Sequence, residues 1–144
     1  MSAAERIKAG IQATADVLLL PVMALAALAA RLRTPAIDVG LGPEPLINHV
    51  HHAEALRRRG YRVETFVDHV YYITDRFDRI LRLPGPLHYL GHHLLLVWCV
   101  HRYRAVYLSF HGSALGYTRL AWRFEPWLLR LAGVKTVLLP YGSD

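Results

Sequence analysis

The 144 residues suffice for one domain with a sizeable core, and a make-up that is 53% hydrophobic and 19% charged excludes a disordered chain. The formal net charge of +6 draws polyanions. However, the arginines are scattered apart from Arg57–Arg59, with no lysine-rich tail and no repeated basic–aromatic motif, so nucleic acid is not an expected partner.

The first 34 residues stand apart as an apolar N-terminal helical segment. Val17–Ala30 is uncharged, holds Pro21, and is preceded by Arg6 and Lys8 and followed by Arg31 and Arg33. The run is shorter than the ~20 residues that span a bilayer. It is apolar on all faces, which suits a helix packed on protein or one dipped into a membrane. A signal peptide has a similar outline and ranks behind both. Pro21 is expected to start or kink the helix.

From Pro35 the pattern alternates. Ile37–Leu41 reads as a strand ending in the turn Gly42-Pro43. Leu46–Arg59 reads as a helix, because Leu46, Ile47, Val50, Ala53 and Leu56 recur at helical spacing and Gly60 is a natural stop. Tyr61–Val67 is β-branched and aromatic, hence a strand. Asp68–Leu83 mixes aromatic and charged residues and reads as irregular, with at most a short strand or turn. A helix is expected from Pro86 to about Arg102, holding the lone cysteine, Cys99, in the apolar run Leu94–Val100. Cys99 has no disulfide partner in the chain and reads as core filler, which fits a reducing compartment. A strand at Ala105–Phe110, a loop at His111–Arg119, a helix at Glu125–Ala132 and a strand at Lys135–Pro140 complete the pattern.

The expected fold class is therefore α/β. The pattern gives a Rossmann-like parallel sheet of about four strands with helices on both faces, preceded by the apolar helix. Residues 35–144 form that domain and residues 1–34 the segment before it.

In such a sheet ligands bind outside the carboxyl ends of the strands. Three segments fall there: Gly42-Pro43-Glu44-Pro45, His111-Gly112-Ser113 and Tyr141-Gly142-Ser143-Asp144. Glycine and small polar residues in all three allow a ligand to approach the backbone. Gly40-Leu41-Gly42 lacks the third glycine of a dinucleotide fingerprint, and the segment after His111 lacks the GxSxG spacing of a serine hydrolase. His49 and His52, and His88 and His92, are spaced like metal-ligand pairs. No cysteine or carboxylate completes either set, so they read as polar helix-face residues, and neither a metal nor a cofactor is expected. His111 follows a strand and precedes a glycine. There it either hydrogen-bonds a sugar hydroxyl and stabilises developing charge, or packs locally as a loop residue.

Gly40–Val67 (GLGPEPLINHVHHAEALRRRGYRVETFV) resembles the first βαβ unit of the N-terminal domain in GT-B glycosyltransferases, with a Gly-Pro loop, an Ile-Asn helix start at Ile47-Asn48 and a Gly-Tyr turn. Tyr103–Gly116 is similar to a later strand and its polar loop. Lys135–Asp144 is similar to a strand entering a Gly-Ser-Asp turn. The resemblance spans roughly residues 36–144 and implies one of two Rossmann-like domains facing each other across a cleft. This one would bind the acceptor, a glycan or a lipid-linked acceptor. A C-terminal domain, absent from these residues, would bind the nucleotide-sugar donor.

By position, the resemblance implies His111 as the catalytic residue facing the sugar. It implies Gly42, Pro43, Glu44, Asn48, Gly112, Ser113, Gly142, Ser143 and Asp144 as substrate contacts. The loop after the first strand lacks the fuller glycine-rich form of many relatives. The chain thus reads as the acceptor-side half of a glycosyltransferase, inactive without a donor domain, in the cytoplasm and at the inner membrane face where its apolar run touches lipid. The alternative is a membrane-associated, non-catalytic interaction module, motivated by the Val17–Ala30 run and the +6 charge.

Overall fold

In a computed structural model, which describes residues 2–70, 75–81, 85, 88–108 and 113–138, five parallel strands form one sheet in the order β3-β2-β1-β4-β5. The strands are β1 (Ile37–Leu41), β2 (Val63–Val67), β3 (Arg79–Ile80), β4 (Tyr103–Leu108) and β5 (Lys135–Leu138). The helices are α1 (Ala3–Ala30), α2 (Ile47–Arg58), α3 (His88–Arg102) and α4 (Glu125–Ala132), the last entered through a 3-10 turn at Ala121–Phe124. The register pairs Gly40 with Glu64 and with Val106, and Tyr107 with Val137.

The α/β class and the parallel sheet agree with the sequence reading, but the sheet has one strand more than expected. β3 falls in the stretch read as irregular. It is two residues long, and polar contacts rather than an apolar pattern hold it. Asp78 Oδ2 accepts from Thr65 N at 2.7 Å, from Thr65 Oγ1 at 2.9 Å and from Arg57 Nη2 at 2.5 Å. β4 starts two positions early, directly after α3, because Tyr103 is fully buried at its first position. β2 starts two positions late, at Val63, since Tyr61 is exposed.

Helix boundaries follow local chemistry. Ser2 and Glu5 form a capping box that launches α1 far upstream of Pro21, so the proline is an interior residue and not the helix start. Gly60 and Gly133 take positive φ, 87° and 76°, just past α2 and α4, a conformation that L-residues with a Cβ disfavour.

The sheet buries both faces. On one, Leu41 and Val63 pack on Ala53 of α2, with Val39, Leu56 and Tyr107 around them. On the other, Phe66, Tyr103 and Val106 meet Leu96 and Cys99 of α3 and Leu128 and Leu129 of α4. Each such fully buried side chain contributes roughly 1.5–3 kcal/mol. The Phe66 ring stacks on Tyr103 at 5.3 Å and meets Trp98 edge-on at 5.5 Å. Met23, Ala27 and Ala30 of α1 belong to this same core, because α1 packs against both α3 and α4.

Candidate functional site

The strand order fixes where a ligand would sit. From β1 the chain moves outward to β2 and β3, then returns through α3 to β4 on the other side of β1. The order reverses between β1 and β4, the point at which open α/β sheets ordinarily bind ligands outside the strands' carboxyl ends. β1 ends at Leu41 opposite Tyr107, one residue before the end of β4. The segments from Gly42 and from Ser113 therefore belong to the same edge.

Gly42, Pro43 and Pro45 are buried, Glu44 is half-buried and Asn48 is exposed. The Gly42-Pro43 peptide is cis. A Cβ on Gly42 would stand 1.9 Å from the Phe66 carbonyl oxygen. The glycine is thus required by the approach of the β2 backbone, a packing demand that the sequence reading had assigned to ligand approach.

His49, one turn into α2, is only 5% exposed. Its Nδ1 has no hydrogen-bond partner. Burial lowers its pKa to about 4, with the Glu44 backbone partly opposing the shift and His52 adding to it. The ring is a neutral imidazole buried near the start of α2. Here the structure corrects the reading of this residue as a polar helix-face histidine.

A second group assembles from β2, α3 and the segment after β4. Asp68, directly after β2, is buried and contacts His69 Nδ1. His92, also read as helix-face, is buried in the first turns of α3. Burial lowers its pKa, while the Asp68 charge opposes that shift. Its ring lies 5.2 Å from that of His88 and 5.6 Å from that of Tyr117. Ser113 is buried, and its N–H donates to Glu125 Oε2 at 3.2 Å, as does that of Leu115 at 3.3 Å. Glu125 is itself buried. Its pKa is raised by that burial, against the pull of the backbone amides it accepts from. The turn after β4 thus wraps its amides around an internal carboxylate.

His111, Gly112, Gly142, Ser143 and Asp144 lie outside the described residues. Among the described residues, the structure brings Gly42, Pro43, Glu44 and Asn48 to one edge with Ser113, and adds His49, Asp68 and His92, which the sequence reading did not place there. Helical spacing carried the missing signal: His49 shares a stripe with Ala53 and Leu56, and His92 one with Leu96 and Cys99.

The chemistry available at the surface is hydrogen bonding by the Glu44 carboxylate and the Asn48 side-chain amide, suited to a polyhydroxylated ligand, while the neutral imidazoles of His49 and His92 lie buried. Gly42–Leu46 carries no basic side chain and one carboxylate, so a phosphate here would have backbone amides alone to bind it. Among the described residues no three His, Cys, Asp or Glu side chains group as a metal site. No family model, curated protein or solved structure matches the chain.

Proposed function

We propose that the chain is the acceptor-side half of a GT-B-type glycosyltransferase. A nucleotide-sugar donor would be held by a second domain across the cleft. The observation that carries the reading is the reversal of strand order between β1 and β4, with Gly42, Asn48, His49 and Ser113 gathered at its carboxyl edge. The resemblance of Gly40–Val67, Tyr103–Gly116 and Lys135–Asp144 to that family, in the same order along the chain, supports it.

In the reaction an acceptor hydroxyl attacks the anomeric carbon. The new C–O bond forms as the bond to the nucleoside diphosphate breaks, and the hydroxyl proton passes to a base. His111 is the candidate for contact with the sugar. Exposed Asn48 and half-buried Glu44 are suited to hold acceptor hydroxyls. The non-basic β1–α2 loop fits an acceptor better than a diphosphate.

Saturation-transfer NMR on the chain, with nucleotide sugars in one series and glycan and lipid-linked glycan acceptors in another, tests the division of labour. Binding is expected in the acceptor series. Tight binding of a nucleotide sugar alone contradicts the reading.

A further inference from the structure

The inner and outer stripes of α1 differ in what they face. Asp16, Met23, Ala27 and Ala30 recur at helical spacing and are buried against α3 and α4. Ile7, Ile11, Leu18, Val22 and Leu25 recur at the same spacing on the opposite side and are exposed, Leu18 by 69% and Leu25 by 67%. The apolar surface continues sideways. On one flank Val22 shares a groove with the exposed Leu90 and Leu94 of α3. On the other, Val17, Leu20, Pro21 and Ala24 face Phe124 and Trp127 across a groove of about 480 Å³. Large apolar side chains from α1, α3 and the segment Phe124–Trp127 therefore line one exposed apolar face, the kind of surface that marks an interaction site.

Charge indicates what covers it. The stripe is bracketed by Arg6 and Lys8 at one end and by Arg31 and Arg33 at the other, and Arg123 lies over the exposed Trp122 ring at 5.5 Å. Between Lys8 and Arg31 the sole charged residue is Asp16, and it faces inward. An apolar field edged by cations and by tryptophan at the margin matches the layered chemistry of a lipid surface with anionic headgroups.

By length and composition α1 is able to cross a membrane. Its attachment argues against that orientation. Asp16 accepts hydrogen bonds from Tyr89 Oη at 2.9 Å, Leu120 N at 2.6 Å and Ala121 N at 3.2 Å, and pairs with His93 Nε2 at 2.8 Å. Spanning would strip these partners away and carry a carboxylate into hydrocarbon.

We propose that the outer face of α1, flanked by Leu90, Leu94, Phe124 and Trp127, docks in the plane of an anionic lipid bilayer while the inner face stays on the domain. The proposal is independent of the reaction at the sheet edge.

The test is flotation of the full chain with phosphatidylcholine vesicles, with and without phosphatidylglycerol. Recovery with vesicles is expected to rise with phosphatidylglycerol and fall with salt. The double variant Leu18→Glu/Leu25→Glu is expected to lose flotation by roughly tenfold or more. Its thermal melt should match that of the parent, because both side chains point away from the core. Arg31→Glu/Arg33→Glu should lose the phosphatidylglycerol dependence. Equal flotation of parent and Leu18→Glu/Leu25→Glu overturns the proposal. So does a dimer that forms without vesicles and is broken by that double variant, which makes a second copy the occupant. Protection of an N-terminal tag from protease inside sealed vesicles shows spanning and overturns the in-plane arrangement.

Discussion

Asp16 Oδ1 and His93 Nε2 stand 2.8 Å apart in the interior, 77 residues apart in sequence, and join apolar α1 to α3. The same carboxylate accepts the amides of Leu120 and Ala121 and so caps the 3-10 turn that leads into α4. One side chain thus ties three helical segments together. Replacing it by alanine leaves His93 and Tyr89 without their acceptor and two amides uncapped. We expect Asp16→Ala to cost about 3 kcal/mol in urea unfolding. A change of only a few tenths would mean that α1 is held by apolar packing alone.

Asp16 also has a pH signature. Burial on its own raises its pKa, but the hydrogen bonds from Leu120, Tyr89, Ala121 and His93 outweigh it, and the net shift is downward from 3.8. A carboxylate with a depressed folded pKa stabilises the fold above its unfolded value, and that contribution disappears as pH falls through the folded value. Acid unfolding of Asp16→Asn should accordingly be shallower than that of the parent below about pH 4.

Glu64 anchors the amino ends of β2 and β4. Its oxygens accept from Arg102 Nε and Nη2, from Arg79 Nε at 2.8 Å and from Tyr103 Oη at 3.0 Å. Burial opposes ionisation, yet these bonds hold its pKa down at about 2. Glu64→Gln should destabilise by about 3 kcal/mol, since two guanidinium groups lose their counter-charge. The comparison of urea midpoints for parent and variant measures it.

His49 adds to the same loss of stability on acidification, but at higher pH. Its folded pKa of about 4 lies below the ordinary 6.5, so the unfolded chain takes up the proton first as pH falls. Stability is constant above about pH 6.5 and declines down to about pH 4, with a loss of about 2 kcal/mol expected by about pH 5. His92, with its pKa also lowered, adds to the decline. His49→Gln should flatten the profile between these limits, and an unchanged profile would place the proton uptake elsewhere.

Much of the fold was legible because its causes are local. β1 and the bounds of α4 follow from short apolar runs, Pro126 and Gly133, and both fall where the sequence puts them. β3 was not legible, since its placement comes from Asp78, at its start, bonding to Thr65 of β2 and from Glu64 of β2 accepting from Arg79. Asp16, Glu64 and Glu125 were overlooked for the same reason: a buried charge is explained by its partners, and the partners of Asp16 lie 73 to 105 residues away. The candidate edge was legible in part. Gly42, Glu44 and Asn48 follow from the βαβ pattern, whereas the burial of His49 and His92 needed their stripes to be read with the apolar residues beside them.

Gly42 is the point where fold and site meet. With the Phe66 carbonyl 1.9 Å from where a Cβ would be, Gly42→Ala must push β1 and β2 apart. We expect a loss of about 3 kcal/mol or more in unfolding experiments. A variant as stable as the parent would show that this end of the sheet can yield.

The most direct measurement is chemical-shift mapping of backbone amides in the full chain, titrated with glycan acceptors and separately with nucleotide sugars. The account predicts perturbations by acceptors at Gly42, Glu44, Asn48, His49 and Ser113, and none at Glu64, Arg79 or Arg102. Perturbations confined to those last three, or an edge that responds to nucleotide sugars and not to acceptors, would contradict it.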